Sequence, residues 1–197
     1  MRIPTKHWIG IAFCVFACSA AAYAAELDSY AVVKLSYGAN QADFNNDGIN
    51  DLIFFARREN FNAHGFDVAT FYIQMLKKDK IIKPWNIVPL FKENRESLTL
   101  EVSGGADCIL NDFRLLKPKQ GAHGLLIVAN REYSGSFYEE NTVNFHYYTF
   151  VKNSEGEMGA PFVFFNYQKT IKSKRKYCDV NQAFRSELGL ENYMERN

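Results

Sequence analysis

Short runs of β-branched and aromatic residues, each closed by a turn-forming pair, punctuate this chain and leave strands as the natural element. From Val143 to Val151 the residues alternate, so Val143, Phe145, Tyr147, Thr149 and Val151 share one face of an extended segment. Leu52-Ile53-Phe54-Phe55 is apolar on both faces, as a central strand is. Asn46-Asp47-Gly48, Gly104-Gly105, Gln120-Gly121 and Glu155-Gly156 supply turn signals between runs. The pattern predicts strands near residues 31–36, 52–57, 66–76, 86–91, 98–102, 109–116, 125–131, 143–151 and 162–169. One helix is expected near the C-terminus, with Asp179 as its N-cap, Gln182 three residues on, and Gly189 at its stop. The expected fold is mainly β, with antiparallel sheets and one short C-terminal helix; a β-sandwich is the alternative arrangement.

A faint repeat suggests two related sheet units. Residues 51–59 parallel residues 124–132, and residues 68–79 parallel residues 143–154, with Tyr72 falling on Tyr147 and Lys77 on Lys152. Each unit reads as strand–loop–strand, with an Arg-Glu pair where its first strand ends. Chance likeness between two aromatic hairpins is the competing account.

The first 24 residues read as a secretory signal. Arg2 and Lys6 give a positive start, an apolar run follows from Trp8 to Phe16, and Ala22-Tyr23-Ala24 offers a cleavage pattern of small residues. The apolar run falls short of the roughly 20 residues a membrane-spanning helix needs. Cleavage after Ala24 would leave a single mature domain, residues 25–197, with no transmembrane segment. The whole chain carries 23 basic and 22 acidic side chains, and losing Arg2 and Lys6 brings the mature part to a net charge of −1. That balance argues against nucleic acid as a partner. The periplasm is the expected location.

Processing removes Cys14 and Cys18 and leaves Cys108 and Cys178. In an oxidising compartment the expectation is a disulfide between them, with two buried thiols as the alternative. Neither has a Cys or His at metal-ligand spacing.

The stretch richest in chemistry is Asp43-Phe44-Asn45-Asn46-Asp47-Gly48-Ile49-Asn50-Asp51. Side-chain oxygens recur at Asp43, Asn45, Asp47 and Asp51, Gly48 permits a sharp turn, and the Ile49 carbonyl can add a backbone ligand. Hard cations favour such oxygen shells, so structural calcium is the expected cofactor; an Asx-rich turn holding no metal is the alternative. This is not an EF-hand, because Phe54 stands where the closing Glu belongs and a strand-like run follows. The pattern resembles the calcium loops of FG-GAP and VCBS repeats. Next comes a polar connection, in which Arg58, Glu59, Asn60, Asn62 and His64 form a possible ligand loop. Its plainer reading is a solvated hairpin loop with Arg58 and Glu59 as an ion pair.

From Asp43 through Arg58-Glu59-Asn60-Phe61-Asn62-Ala63-His64 to Phe71-Tyr72-Ile73, the chain resembles the CarG-like family of carbapenem intrinsic resistance proteins. The resemblance implies a periplasmic protein that protects against a β-lactam without belonging to a known β-lactamase class, and it carries no catalytic motif. The expected partner is therefore the β-lactam antibiotic or a periplasmic protein target. A calcium-stabilised extracytoplasmic adhesion or interaction module is the second reading.

Enzyme signals are weak. No Gly-x-Ser-x-Gly elbow occurs, and His64, His123 and His146 are widely separated. No catalytic residue is assigned. The basic cluster of Lys169, Lys172, Lys174, Arg175 and Lys176 reads as a solvated loop, and Tyr133, Phe137 and Tyr138 as rim or core aromatics. The oligomeric state is unknown from the sequence.

Overall fold

The computed structural model describes residues 27–61, 65–77, 80–104, 108–121, 123–133 and 135–194. The expected signal segment lies outside these residues, as do Asn62 and His64 of the possible ligand loop. The strands are β1 (Tyr30–Val32), β2 (Gly38–Ala42), β3 (Asp51–Arg58), β4 (Phe66–Lys77), β5 (Lys80–Ile87) and β6 (Leu90–Lys92). They continue as β7 (Arg95–Ser97), β8 (Leu100–Gly104), β9 (Ile109–Pro118), β10 (Leu125–Arg131), β11 (Asn141–Lys152) and β12 (Val163–Tyr177), followed by helix α1 (Val180–Leu188). Twelve strands belong to one sheet in the order β2-β3-β4-β8-β9-β10-β11-β12-β6-β7, with β1 on β9 and β5 on β4. The β12–β6 pairing is parallel, whereas long pairs such as β3–β4, β10–β11 and β11–β12 are antiparallel. The mainly β, largely antiparallel expectation holds.

This sheet curls until β4 meets β12. Phe71 on β4 and Phe165 on β12 are five strand spacings apart along the sheet, about 24 Å if it were flat. Their rings lie 5.5 Å apart. The link between β5 and β6 seals the curl: Val88 N–H donates to the Phe71 carbonyl at 2.8 Å, and Phe165 N–H donates to the Pro89 carbonyl at 2.8 Å. Hydrogen bonds therefore run from β4 to β12 both ways round. Inside the curl sit Phe44, Phe55, Phe71, Phe113 and Phe165, all fully buried. They meet largely edge to face, the geometry that the ring quadrupole favours.

A second core lies on the outer face of β9–β11, where Leu116, Ile127, Ala129, Val143 and Phe145 are covered by Val180, Ala183 and Phe184 of α1. The caps are those expected. Asp179 accepts from Asn181 N–H at 2.7 Å, and Gly189 adopts φ 66°, which a glycine takes without steric cost. Under the helix is Arg114, fully buried. Its Nε donates to the Glu191 carbonyl, Nη1 to the Phe113 carbonyl, and Nη2 to Asn181 and Asn192. Asp112 stands 3.5 Å from Nη1, and the guanidinium lies over the Phe184 ring at 4.3 Å.

Three sequence expectations need correction. The basic cluster from Lys169 to Lys176 is no loop: β12 runs through it to Tyr177, paired to β11 along one side. Its other side meets β6 only at Phe165 and Asn166. Lysines along an open strand edge oppose further strand pairing. Strands β2 and β7 were not expected at all. The two hairpins of the faint repeat both exist, but within one sheet and in different register. Ile53 pairs with Phe71, so the repeat would pair Leu126 with His146; Leu126 instead pairs with Tyr148. Gly124, which the repeat matched to Asp51, packs so tightly that a Cβ there would overlap the Phe44 carbonyl.

Candidate functional site

The Asp43–Asp51 loop joins β2 to β3 and folds around its own side-chain oxygens. Asp47 N–H donates to Asp43 Oδ1 at 3.1 Å and to Asn45 Oδ1 at 2.9 Å. Gly48 N–H donates to Asp43 Oδ2, and Ile49 N–H to Asp47 Oδ1, both at 2.9 Å. The bonds of Asn45 to Asp47 and of Asp47 to Ile49 are Asx turns in series, and Asp43 reaches across them. Asp51 plays another part. It is wholly buried and accepts from Phe44 N–H at 3.0 Å and Asn45 N–H at 3.3 Å. Burial pushes its carboxyl up to about 8, against the Phe44 hydrogen bond, with the Asp47 and Asp43 charges adding to the rise. Asp51 thereby fastens the loop to Phe44, whose ring lies between Phe71, Phe150 and Phe165. Among the described residues, no group of three or more His, Cys, Asp or Glu side chains is placed to hold a metal ion. The side-chain oxygens of Asp43, Asn45 and Asp47 accept backbone N–H groups of the loop itself.

Asn45, Asn46 and Asp47 also form one wall of a cleft of about 970 Å³. Ile73, Phe150, Val151, Phe162 and Val163 give it an apolar lining, and Gln74, His123, Thr149 and Lys152 place polar groups along it. The Lys152 ammonium lies 5.3 Å from the centre of the Phe162 ring. An apolar cleft with a few convergent polar groups is the usual form of a small-molecule site. The sequence singled out the loop but not this cleft, because the opposite wall comes from residues a hundred positions away.

Of the possible ligand loop, Arg58, Glu59 and Asn60 are described. The ion pair expected between Arg58 and Glu59 is not the one formed. Glu59 binds Arg57 Nε at 3.2 Å and accepts from the backbone N–H groups of Asn60 and Phe61. Those two backbone bonds and Arg57 hold its carboxyl below the usual range, with the Phe61 bond the largest cause. Arg58 lies over the Phe66 ring at 5.0 Å. Alternation explains the swap: Arg57 falls on the side of the β3–β4 hairpin that carries Asp67, 3.6 Å from its Nη1. Arg58, Glu59 and Asn60 do not line the cleft.

Cys108 and Cys178 form a disulfide, Cα atoms 5.5 Å apart. It ties the start of β9 to the junction of β12 and α1. Arg131 donates to the Cys178 carbonyl at 3.3 Å and to the Ser136 carbonyl at 3.1 Å.

His146, passed over in the sequence as a lone histidine, sits on β11 with Nδ1 2.6 Å from Thr170 Oγ1. Burial, and then the nearby Lys92 charge, push its imidazole down to about 4. Since the folded value lies below the unfolded one, neutral His146 contributes stability fully above pH 6.5. That contribution fades as pH falls from 6.5 through 4, by at most about 1.4 kcal/mol per pH unit and by less where solvent screens the half-buried ring. Urea unfolding at pH 7, 5.5 and 4.5 should show wild type losing more stability on acidification than His146→Gln. Parallel losses in the two proteins would contradict this account.

Comparison with known proteins adds the following. A family model described as carbapenem resistance protein CarG-like matches residues 35–186. Among solved structures, the crystal structure of CarG is similar, with a TM-score of 0.66 and 25% sequence identity. The match covers 82% of this chain and 99% of that one. No curated protein matches.

Proposed function

Because the chain belongs to the CarG-like family of carbapenem resistance proteins, we propose that it is a periplasmic protein that confers carbapenem tolerance without catalysis, by holding the antibiotic in the cleft beside the Asp43–Asp51 loop. One observation carries this reading: the cleft joins an apolar wall, Phe150, Val151 and Phe162, to an ammonium at Lys152. A carbapenem presents a compact bicycle bearing a carboxylate. The bicycle fits the apolar wall, Lys152 offers its carboxylate a charge-assisted hydrogen bond, and the Gln74 carboxamide in the same lining can donate to a carbonyl. The signal-like N-terminus supports the periplasmic location.

The deciding experiment is a tolerance assay in a carbapenem-sensitive host, combined with calorimetry on the purified protein. Expression of the wild type should raise tolerance, and Lys152→Ala should reduce both tolerance and carbapenem binding about tenfold, the loss of roughly 1.4 kcal/mol. Tolerance that persists without measurable binding would replace this reading by shielding of a periplasmic target. Steady loss of the carbapenem's ring absorbance would replace it by hydrolysis.

Calcium belongs to the same proposal as a structural cofactor. Asp43 and Asp47 supply carboxylates to one small loop, and a cation would relieve their repulsion. Terbium luminescence that is absent at millimolar ion, or unchanged by Asp47→Ala, would remove calcium from the account.

A further inference from the structure

A second groove lies away from the cleft, between the β6–β7 hairpin and the concave face of the sheet. Its volume is about 450 Å³, inside the range of roughly 300–1,000 Å³ typical of small-molecule sites. Most of the concave face is aromatic core. Along one row, however, five neighbouring strands each contribute a polar residue: Ser103, Asn111, Asn130, Asn144 and Lys172. The register sets each beside the next, as Ser103↔Asn111, Asn111↔Asn130, Asn130↔Asn144 and Asn144↔Lys172.

These carboxamides are linked and oriented. Asn130 Nδ2 donates to Asn111 Oδ1 at 2.5 Å, and Asn111 Nδ2 donates to Ser103 Oγ at 2.6 Å. Asn144 Nδ2 donates to Glu132 Oε1 at 3.2 Å, and Lys172 binds the same oxygen at 2.8 Å. A carboxylate only accepts, so the Asn144 nitrogen must face Glu132 and its oxygen must face elsewhere. That oxygen is buried and accepts no hydrogen bond among the described residues. Asn144 itself does not line the groove; of the row, Asn111 and Asn130 do, and theirs are the carboxamides a ligand there would meet.

The groove's charges narrow the ligand. Lys92 and Arg95 line it together with Glu93, Glu96 and Glu101, so neither an anion nor a cation finds a field of one sign. Glu93 adds a second sign of function. At φ 50° it occupies the left-handed region at the hairpin turn, where Asn or Gly would be the favoured residue. A glutamate there carries backbone strain while it lines the groove, and such strain clusters at ligand sites.

We propose that this groove binds a neutral, hydroxyl-rich ligand of the carbohydrate class, whose hydroxyls donate to the asparagine oxygens and Glu93 and whose ring packs on Val128 and Tyr148. The proposal goes beyond antibiotic binding in the cleft and does not depend on it.

The test is calorimetry of the full mature protein with N,N′-diacetylchitobiose, cellobiose and maltose, and with digalacturonate as the charged comparator. At least one neutral disaccharide should bind, and Asn130→Ala and Glu93→Asn should each weaken it about tenfold, as expected for one good hydrogen bond lost. Glu93→Asn suits its backbone better than glutamate does, so its loss of binding cannot be put down to misfolding. Lys152→Ala, in the other cleft, should leave disaccharide binding unchanged. Three results would overturn the proposal: no neutral disaccharide bound at millimolar concentration, binding of digalacturonate alone, or binding indifferent to both groove variants.

Discussion

Replacing Arg114 by Met should destabilise the protein by about 3–5 kcal/mol, the usual cost of breaking a buried charged network from one side. Methionine keeps much of the stem's packing, so the loss isolates the guanidinium. That group donates to the Phe113 and Glu191 carbonyls and to Asn181 and Asn192, and faces Asp112. Without it, Asp112, only 2% exposed, loses the guanidinium that stands 3.5 Å from its carboxylate, and the segment after α1 loses its anchor. Desolvation already holds the Arg114 guanidinium below its ordinary value, with the Asp112 charge opposing; Asp112 and the surrounding oxygens are therefore what keep the charge tolerable. Thermal unfolding followed by circular dichroism should show a midpoint lower by roughly 10 °C for a domain of this size. Arg114→Lys should recover little, because an ammonium cannot span the fork. A midpoint within two or three degrees of wild type for Arg114→Met would show that the network is dispensable.

Removing the Cys108–Cys178 bridge should cost nearly as much. Their separation is 70 residues, and closing such a loop in the unfolded chain corresponds to about 4 kcal/mol in the chain-entropy account. The double variant Cys108→Ala, Cys178→Ala is preferable to a single one, which would leave a buried thiol. Its urea midpoint should fall, and added reductant should shift the wild type toward it without shifting the variant. If reductant moves both proteins equally, the bridge is not the cause. Because Asp179 caps α1 next to Cys178, the helix and its cover over the outer core should be the first region to lose protection from hydrogen exchange.

The sequence made the strongly patterned elements legible. Leu52-Ile53-Phe54-Phe55 and Leu125-Leu126-Ile127-Val128 could hardly be anything but strands, and Asp179 and Gly189 marked both ends of the helix. It failed where strand character is imposed by neighbours. Gly38-Ala39-Asn40-Gln41-Ala42 contains no β-branched or aromatic residue, and it is extended because β3 pairs with it along its length. Arg95-Glu96-Ser97 is exposed throughout. The basic half of β12 resembled a loop because open edges favour the same residues as solvated turns do.

The candidate sites divide along the same line. The Asp43–Asp51 loop is contiguous and could be read directly. The asparagine row draws one residue from each of five strands across 69 positions of sequence, so no local motif announces it. Only the register of the sheet reveals it. Similarly, Lys152 becomes interesting only once β11 brings it across from Asn45 and Asp47.

The seal formed by Val88 and Pro89 between β4 and β12 also bears on how this protein can be taken apart. A sheet that contains two similar hairpins invites dissection into two halves, each retaining its own pairings. Here the seal belongs to the first half but bonds to the last long strand of the second, and Phe71 and Phe165 meet across it. Neither half then retains a closed aromatic interior. The molecule is indivisible in the sense that matters to an engineer: shortened fragments would expose the phenylalanines that the curl exists to cover, and any permuted version must keep residues 71–92 and 163–166 in one continuous fold.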